Sequence, residues 1–393
     1  MALNFQQVYE KIRAIGSGAR LRQEQLDELR KRAAARLAEW ADKPAELRDK
    51  VERARQADPS LRCAIPLDER LDASHPEPVD QGPATLLAAD GSQVLPDRHA
   101  SVQYSLVNVG AIALAPGSGS PPETFTDSHL LFDDELYTET GMLTDEAIEQ
   151  RRDIAERRKL LELAADFHAP LVALTDGPIE LWGAKGGETD DYRKNLELHK
   201  SILSQLQAKG VTVAGYVDKP GADLVIRTLE IARFSTDDEY KNMRKLHPLR
   251  GVSDRWLYGL SGRLEAGHRS TVFGLQSGSR AHYTGDLGLH FFYLNVGDGK
   301  SPALVRVEIP KWVAEDTHKL NLLHAALLGQ CRVMGARPYP YILHRAHEIA
   351  VVKFEEKKQI EQMLELELRR FGGEVESGSN KQSAKDLPGR SRK

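Results

Sequence analysis

Two stretches of the chain share one design: a short apolar run that ends in Asp-Gly. Leu86-Leu87-Ala88-Ala89 leads into Asp90-Gly91-Ser92, and Leu171-Val172-Ala173-Leu174-Thr175 leads into Asp176-Gly177-Pro178. Runs of this length between turn residues read as buried strands. Each would deliver a carboxylate rigidly to its own C-terminal end. Asp-Gly after a strand is also ordinary turn chemistry. Two copies, with a helical pattern between them, invite a divalent cation held between carboxylates. Mg2+ and Mn2+ take oxygen ligands, and ions held this way support phosphodiester hydrolysis by activating a water and stabilising the leaving oxygen.

The helix expected between the two strands, Leu143 to Phe167, offers a third acid. Leu160, Leu163 and Phe167 define its inward stripe, and counting back by four from Leu160 gives Glu156 and then Arg152. Glu156 therefore faces inward, where it either serves the ion or simply pairs with Arg152. Glu149 points inward as well, two turns further from the strand, whereas Glu162 shares another face with Arg158 and Lys159. Near the C-terminus, Leu343, His347, Ala350 and Phe354 line one face of a helix. A His on such a stripe is either a core residue or an acid–base group. Tyr339, at the Pro-bounded corner just before, can reach the same site. Gly299-Lys300-Ser301 imitates the end of a phosphate-binding loop, but the position that needs the first Gly is Leu294, inside a strand. The chain therefore carries no nucleotide motor of its own.

These residues need a frame, and the pattern supplies one. Residues 84–89, 101–114 and 129–132 read as three strands, followed by the helix 143–167. Then come strand 170–175, helix 191–208, strand 211–217 and helix 222–234. The order β-β-β-α-β-α-β-α is that of a ribonuclease H-like α/β fold, a mixed sheet with helices on its faces. Ahead of it, residues 1–83 read as a helical arm and a Pro- and Asp-rich linker. Leu26, Leu29, Leu37 and Trp40 stand at helical spacing there. Behind the core, taken as about 84–234, residues 235–371 read as an extension containing a β-hairpin (287–296 and 304–309) and a single long helix, 341–371. Residues 372–393 are polar, their last thirteen carrying five Lys or Arg against one Asp, and read as a disordered tail.

Composition sets outer limits. The chain has 393 residues, 40% hydrophobic and 28% charged, with a formal net charge of −4. That is a globular composition, without the overall basic balance of a strongly cationic nucleic-acid binder. No apolar run approaches the length of a membrane span, and residues 1–15 lack the layout of a secretory signal. Cys63 and Cys331 are the only cysteines; they point to a reducing cytoplasm and away from a Cys-based zinc site.

With these residues assembled, the chain resembles the NurA nuclease family from about Thr85 to about Phe371. The resemblance rests on Asp90-Gly91-Ser92, Arg152 with Glu156, Asp176-Gly177, Gly215-Tyr216-Val217-Asp218-Lys219-Pro220, Phe291-Phe292-Tyr293, Val305-Arg306-Val307-Glu308-Ile309-Pro310, and Tyr339-Pro340 followed by Ala346-His347. It implies a ribonuclease H-like fold, metal-binding carboxylates at Asp90, Glu156 and Asp176, and functional roles for Tyr339 and His347. It also implies Mn2+-dependent (or Mg2+-dependent) exo- and endonuclease action on single- or double-stranded DNA in end resection and break repair. A homodimer paired with a HerA-like hexameric ATPase belongs to the same expectation. One departure stands out: Pro178-Ile179 replaces the Ser-Leu that usually follows the second Asp-Gly. Glu162 is the fallback for the helix ligand.

Candidate phosphate contacts are Lys219, Arg269 and Arg306. The arm's apolar residues, and the Phe291-Phe292-Tyr293 strand if it forms an edge, are candidate interfaces. Two other readings share these features: another ribonuclease H-like enzyme, such as a junction resolvase or transposase, and a catalytically weak adaptor of a ring ATPase.

Overall fold

Leu86 to Ala89 are buried and Asp90 to Gln93 only half-buried in the strand Thr85–Val94. The reason is how the strand is flanked in this computed structural model, which describes residues 3–79, 81–97, 100–138, 141–182, 189–373 and 375. On one side it pairs in parallel with Leu171–Asp176, from Thr85 opposite Leu171 to Ala89 opposite Thr175. On the other it pairs antiparallel with Ser105–Leu114, continuing to Val94 opposite Leu106. The parallel neighbour stops at Asp176, so from Asp90 onward one side of the strand is open. The expected Gly-Ser turn at Gly91-Ser92 is therefore absent; extended backbone continues there because the antiparallel partner keeps supplying hydrogen bonds.

The chain divides into two compact units, residues 82–215 with 339–393, and residues 1–81 with 216–338. In the first, the strand order is Thr212–Val217 (as far as Gly215), Leu171–Asp176, Thr85–Val94, Ser105–Leu114, Glu123–Leu131. Glu123–Leu131 is longer than the expected short third strand, because an edge strand open to solvent carries Ser, Thr, Asp and His where a buried one carries aliphatics. The helix Asp145–Asp166 starts from Thr144, whose side chain accepts from the Ala147 N–H at 3.2 Å. It buries Ile148, Gln150, Ile154, Glu156, Arg157, Leu160, Leu163 and Ala164. Glu149, expected inward, is exposed.

The expected single helix from 341 to 371 is two: Tyr341–Ala350 and Phe354–Arg370. Ser92 Oγ (2.5 Å) and Asn108 Nδ2 (2.7 Å) both donate to the Ala350 carbonyl, and Val352 N–H donates back to Ser92 Oγ at 3.2 Å. Ser92 and Asn108 are cross-strand neighbours, so the sheet itself supplies the partners that end the helix. The helix also lies directly on Gly110: a Cβ there would run into Ala350 N and come within 2.7 Å of Ala346 O. Gly110→Val is expected to lower the melting temperature by several degrees, the overpacking costing about 1–3 kcal/mol. Gly299→Ala, where the added Cβ meets nothing within 4 Å, is the neutral control in the same thermal melt.

The second unit corrects three expectations. Residues 63–66 are not linker: Cys63–Pro66 pairs antiparallel with Phe273–Gln276, placing residues 1–81 and 216–338 in one body. The Phe291-Phe292-Tyr293 strand is not an edge. Leu289–Asn295 has neighbours on both sides, and its three aromatic rings are fully buried, Phe291 against Phe273 and Tyr293 against Tyr258. Leu37 is buried, while Trp40 carries Lys43 and Lys50 over its ring. Both cysteines are buried and unpaired, and burial pushes each thiol up to about 12. Among the described residues no helix is long and apolar enough to cross a membrane. The proposed tail lies almost wholly outside the described residues.

Candidate active site

Asp90, Glu156, Asp176, Tyr339 and His347 all lie in the unit of residues 82–215 and 339–393. Asp90 is the member the others share. One carboxylate oxygen, Oδ1, accepts from the Gly91 N–H at 2.8 Å, and the other, Oδ2, lies 2.7 Å from His347 Nδ1. Against a carboxylate, which only accepts, the arrangement suits a His347 that donates from Nδ1–H and keeps Nε2 as its second ring nitrogen. The His347 side chain is 62% exposed. His347 thus sits at a rim, not in a stripe with Leu343 and Ala350, and Phe354 lies beyond the end of that helix.

Glu156 is 4% exposed. Burial, together with the nearby Asp153 and Asp90 charges, pushes its carboxyl up to about 8, against the opposing pull of Arg157 and Arg152. Arg152 Nε lies 3.3 Å from Glu156 Oε1, and Arg152 Nη1 donates to Gln93 Oε1 at 2.9 Å. Gly91 makes this approach feasible, because a Cβ there would stand 2.5 Å from Arg152 Cγ and 2.8 Å from Glu156 Oε1. The glycine serves a close approach and not a turn. Glu162 is exposed and paired with Lys159 at 3.3 Å, which leaves Glu156 as the acid of this helix directed at the Asp90 strand.

Asp176 ends its strand, and Gly177 at φ +86° makes the turn that follows. A Cβ on Gly215 of the next strand would lie 2.5 Å from the Gly177 carbonyl, so that turn is packed from the side as well. Crowding of its carboxylate by protein atoms raises the Asp176 pKa, the Asp90 charge adds to this, and a hydrogen bond from Tyr339 opposes it.

The three acids do not form a finished cage: among the described residues no group of three His, Cys, Asp or Glu stands ready to hold an ion. Each carboxylate instead has a partner of its own, His347, Arg152 or Tyr339, as mutually repelling charges require. The donor set nevertheless fits a hard divalent cation. It consists of carboxylate oxygens, and both Glu156 and Asp176 are raised in part by the Asp90 charge. That surplus negative potential is what a cation would offset.

The expected phosphate contacts divide. Lys219 is exposed, with φ +46°. Arg306 and Arg269 are 5% and 7% exposed. Arg306 Nη2 lies 2.8 Å from Glu308 Oε1, and Arg269 Nη1 donates to its neighbour's carbonyl on Ser270. Both are structural cations, not groups offered to a passing phosphate. Gln93 and Asn108, and the part Ser92 plays in ending the His347 helix, escaped sequence reading. Their roles depend on cross-strand register, and only the two-residue alternation of the Asp90 strand hints at them.

A mixed sheet with an open strand edge at Asp90, covered by the Glu156 and His347 helices, defines a ribonuclease H-like α/β protein. The NurA domain model matches residues 84–352, and the chain belongs to the NurA family. The crystal structure of the NurA nuclease from Sulfolobus solfataricus is similar over 93% of this chain and 97% of that one, at 13% identity and a TM-score of 0.52. The catalytic domain of human endonuclease V aligns over 81% of this chain and 96% of its own at 14% identity, with a TM-score of 0.33. No curated protein is similar enough to count as a relative.

Proposed function

We propose that the chain is a divalent-metal-dependent deoxyribonuclease that hydrolyses phosphodiester bonds during DNA end resection and double-strand break repair. Membership of the NurA family supports a nuclease, and the observation that carries the reading furthest is the Asp90 carboxylate held against His347 beside two acids of raised pKa. Asp90, Glu156 and Asp176 would hold Mn2+ or Mg2+, which supplies an activated water and charge stabilisation. His347 offers Nε2 to accept or return a proton, with Asp90 fixing the ring. Tyr339 hydrogen-bonds Asp176 and would hydrogen-bond a phosphate oxygen. Lys219 remains a proposed phosphate contact. Cleavage of plain linear DNA, single- and double-stranded, across a Mn2+ and Mg2+ titration tests this. Metal-dependent cleavage is expected; its absence with both ions would favour the adaptor reading.

The partner is a HerA-like hexameric ATPase, since the chain has no phosphate-binding loop to drive movement on DNA, and the working form is a cytoplasmic homodimer. The helix Phe5–Ser17 buries none of its residues and turns Phe5, Val8, Tyr9, Ile12 and Ile15 to solvent. It is a better apolar surface for a second copy than Leu37. A credible homodimer buries on the order of 1,200 Å² or more in total. Light scattering should report a dimer, and Ile12→Glu should shift it toward monomer. A wild-type monomer at micromolar concentration that neither co-elutes with nor stimulates such an ATPase would remove this part of the reading and leave the nuclease site intact.

A further inference from the structure

The unit that carries the carboxylates also has an open groove that hydrolysis does not use. Its volume is about 490 Å3. One wall is Gln93 to Asp97, at and beyond the end of the Asp90 strand; the other is Val352, Lys353, Phe354 and Lys357. This is a size that accommodates small ligand groups. Lys353 and Lys357 stand one helical turn apart. Three acids stand nearby, none of them within direct hydrogen-bond distance of either ammonium. Glu361 is 3.8 Å from the Lys357 ammonium, and Glu356 is occupied with the Lys353 backbone N–H at 2.7 Å; Asp97 is the acid in the groove wall itself. Between the lysines, Phe354 is 71% exposed, an aromatic face with nothing hydrophobic to gain from water.

The groove is joined to the site. Gln93 accepts from Arg152, which pairs with Glu156, and Val352 N–H donates to Ser92 Oγ. Gln93 is three residues along the strand from Asp90, roughly 10 Å away at about 3.3 Å per residue. Even on a paired strand, with one phosphate per about 3.4 Å of axis, that distance is about three nucleotides, so the groove begins within a few nucleotides of the scissile bond. Cations placed to meet phosphates, with an aromatic ring between them, are the recognition chemistry of an unpaired strand.

We propose that this groove is a single-strand DNA subsite: Lys353 and Lys357 hold phosphates, and Phe354 stacks on an unpaired base close to the bond being cut. The assignment rests on the nuclease reading above. The test is binding of a fluorescent single-stranded oligonucleotide by anisotropy, in EDTA to prevent cleavage, over a range of salt. Phe354→Ala should weaken binding about tenfold, Phe354→Trp should restore it and Phe354→Leu should not. Lys353→Gln with Lys357→Gln should flatten the slope of log K against log salt by about 1.4, at about 0.7 per phosphate contact on a single strand. Blunt duplex should lose much less affinity than single strand on Phe354→Ala.

A wild-type protein that binds and cuts the oligonucleotide, with variants of unchanged affinity and slope, would overturn the subsite and leave the nuclease reading standing. Equal losses on duplex and single strand would overturn the stacking role. A wild type that neither binds nor cuts would remove both. Should Phe354→Ala lower the melting temperature, the lysine pair, which lies outside the apolar cluster of Val352, Ile360 and Leu364, carries the test.

Discussion

Asp90→Asn is expected to reduce metal-dependent cleavage by about 10³-fold or more in a protein that still folds, since it removes at once a charge facing the ion and the group that orients the acid–base residue. The substitution conserves shape. An amide oxygen can still accept from the Gly91 N–H, and the strand pairing on both sides is untouched. What fails is electrostatic. The negative charge facing the ion is lost, and an amide NH2 replaces the oxygen that accepts from His347 Nδ1–H. Asp90 also raises both Glu156 and Asp176, so both should titrate lower in the variant. Cleavage rate, thermal melt and NMR titration of the carboxyl carbons check the three parts. Residual activity within tenfold of wild type would show that Asp90 is a rim residue without a catalytic role.

The second large effect is on stability. In metal-free protein, wild type is expected to lose a few kcal/mol as pH rises from about 5 to about 9, and Glu156→Gln is expected not to. The folded pKa of Glu156 is raised from 4.5 to about 8, so the folded state holds this proton more tightly than the unfolded chain does. The stabilisation is complete below about 4.5 and disappears as pH climbs through about 8, where a buried carboxylate must ionise. Gln carries no such charge. Above pH 8 the variant should therefore melt higher than wild type, although it has lost a metal-facing acid and its cleavage. Added Mn2+ should reverse the wild-type trend, because an ion takes the place of the proton. Denaturant melts at pH 5, 7 and 9 with EDTA decide it; parallel pH profiles for the two proteins would mean that Glu156 is ionised at neutral pH and satisfied by Arg152 and Arg157.

The strand–helix alternation was readable because buried parallel strands and long amphipathic helices write strong periodic patterns. Leu171–Asp176 and Asp145–Asp166 lie within a residue or two of where the pattern puts them. Asp90 and Asp176 were readable for the same reason, as polar residues closing apolar runs. Glu156 emerged from helical spacing. The break at Val351 was not readable, since a Val-Val pair lowers helix propensity only slightly and the cause lies in Ser92 and Asn108, some 240 to 260 positions away. The buried states of Arg269 and Arg306 were hidden likewise: a basic residue in an apolar strand looks like a surface contact until its carboxylate or carbonyl partner is known. Residues 63–66 read as linker because a four-residue strand between Pro and Asp residues has no period of its own. The groove at Phe354 depends on where one helix stops and the next begins.

The most direct measurement is Mn2+ binding itself. Calorimetric titration of Mn2+ into wild type, Asp90→Asn and Asp176→Asn at neutral pH should show one or two ions bound per wild-type chain, with binding lost or weakened at least about tenfold in each variant whose melt is unchanged. Binding of equal strength and stoichiometry in all three proteins, or no binding to wild type, would contradict a metal centre built on these carboxylates.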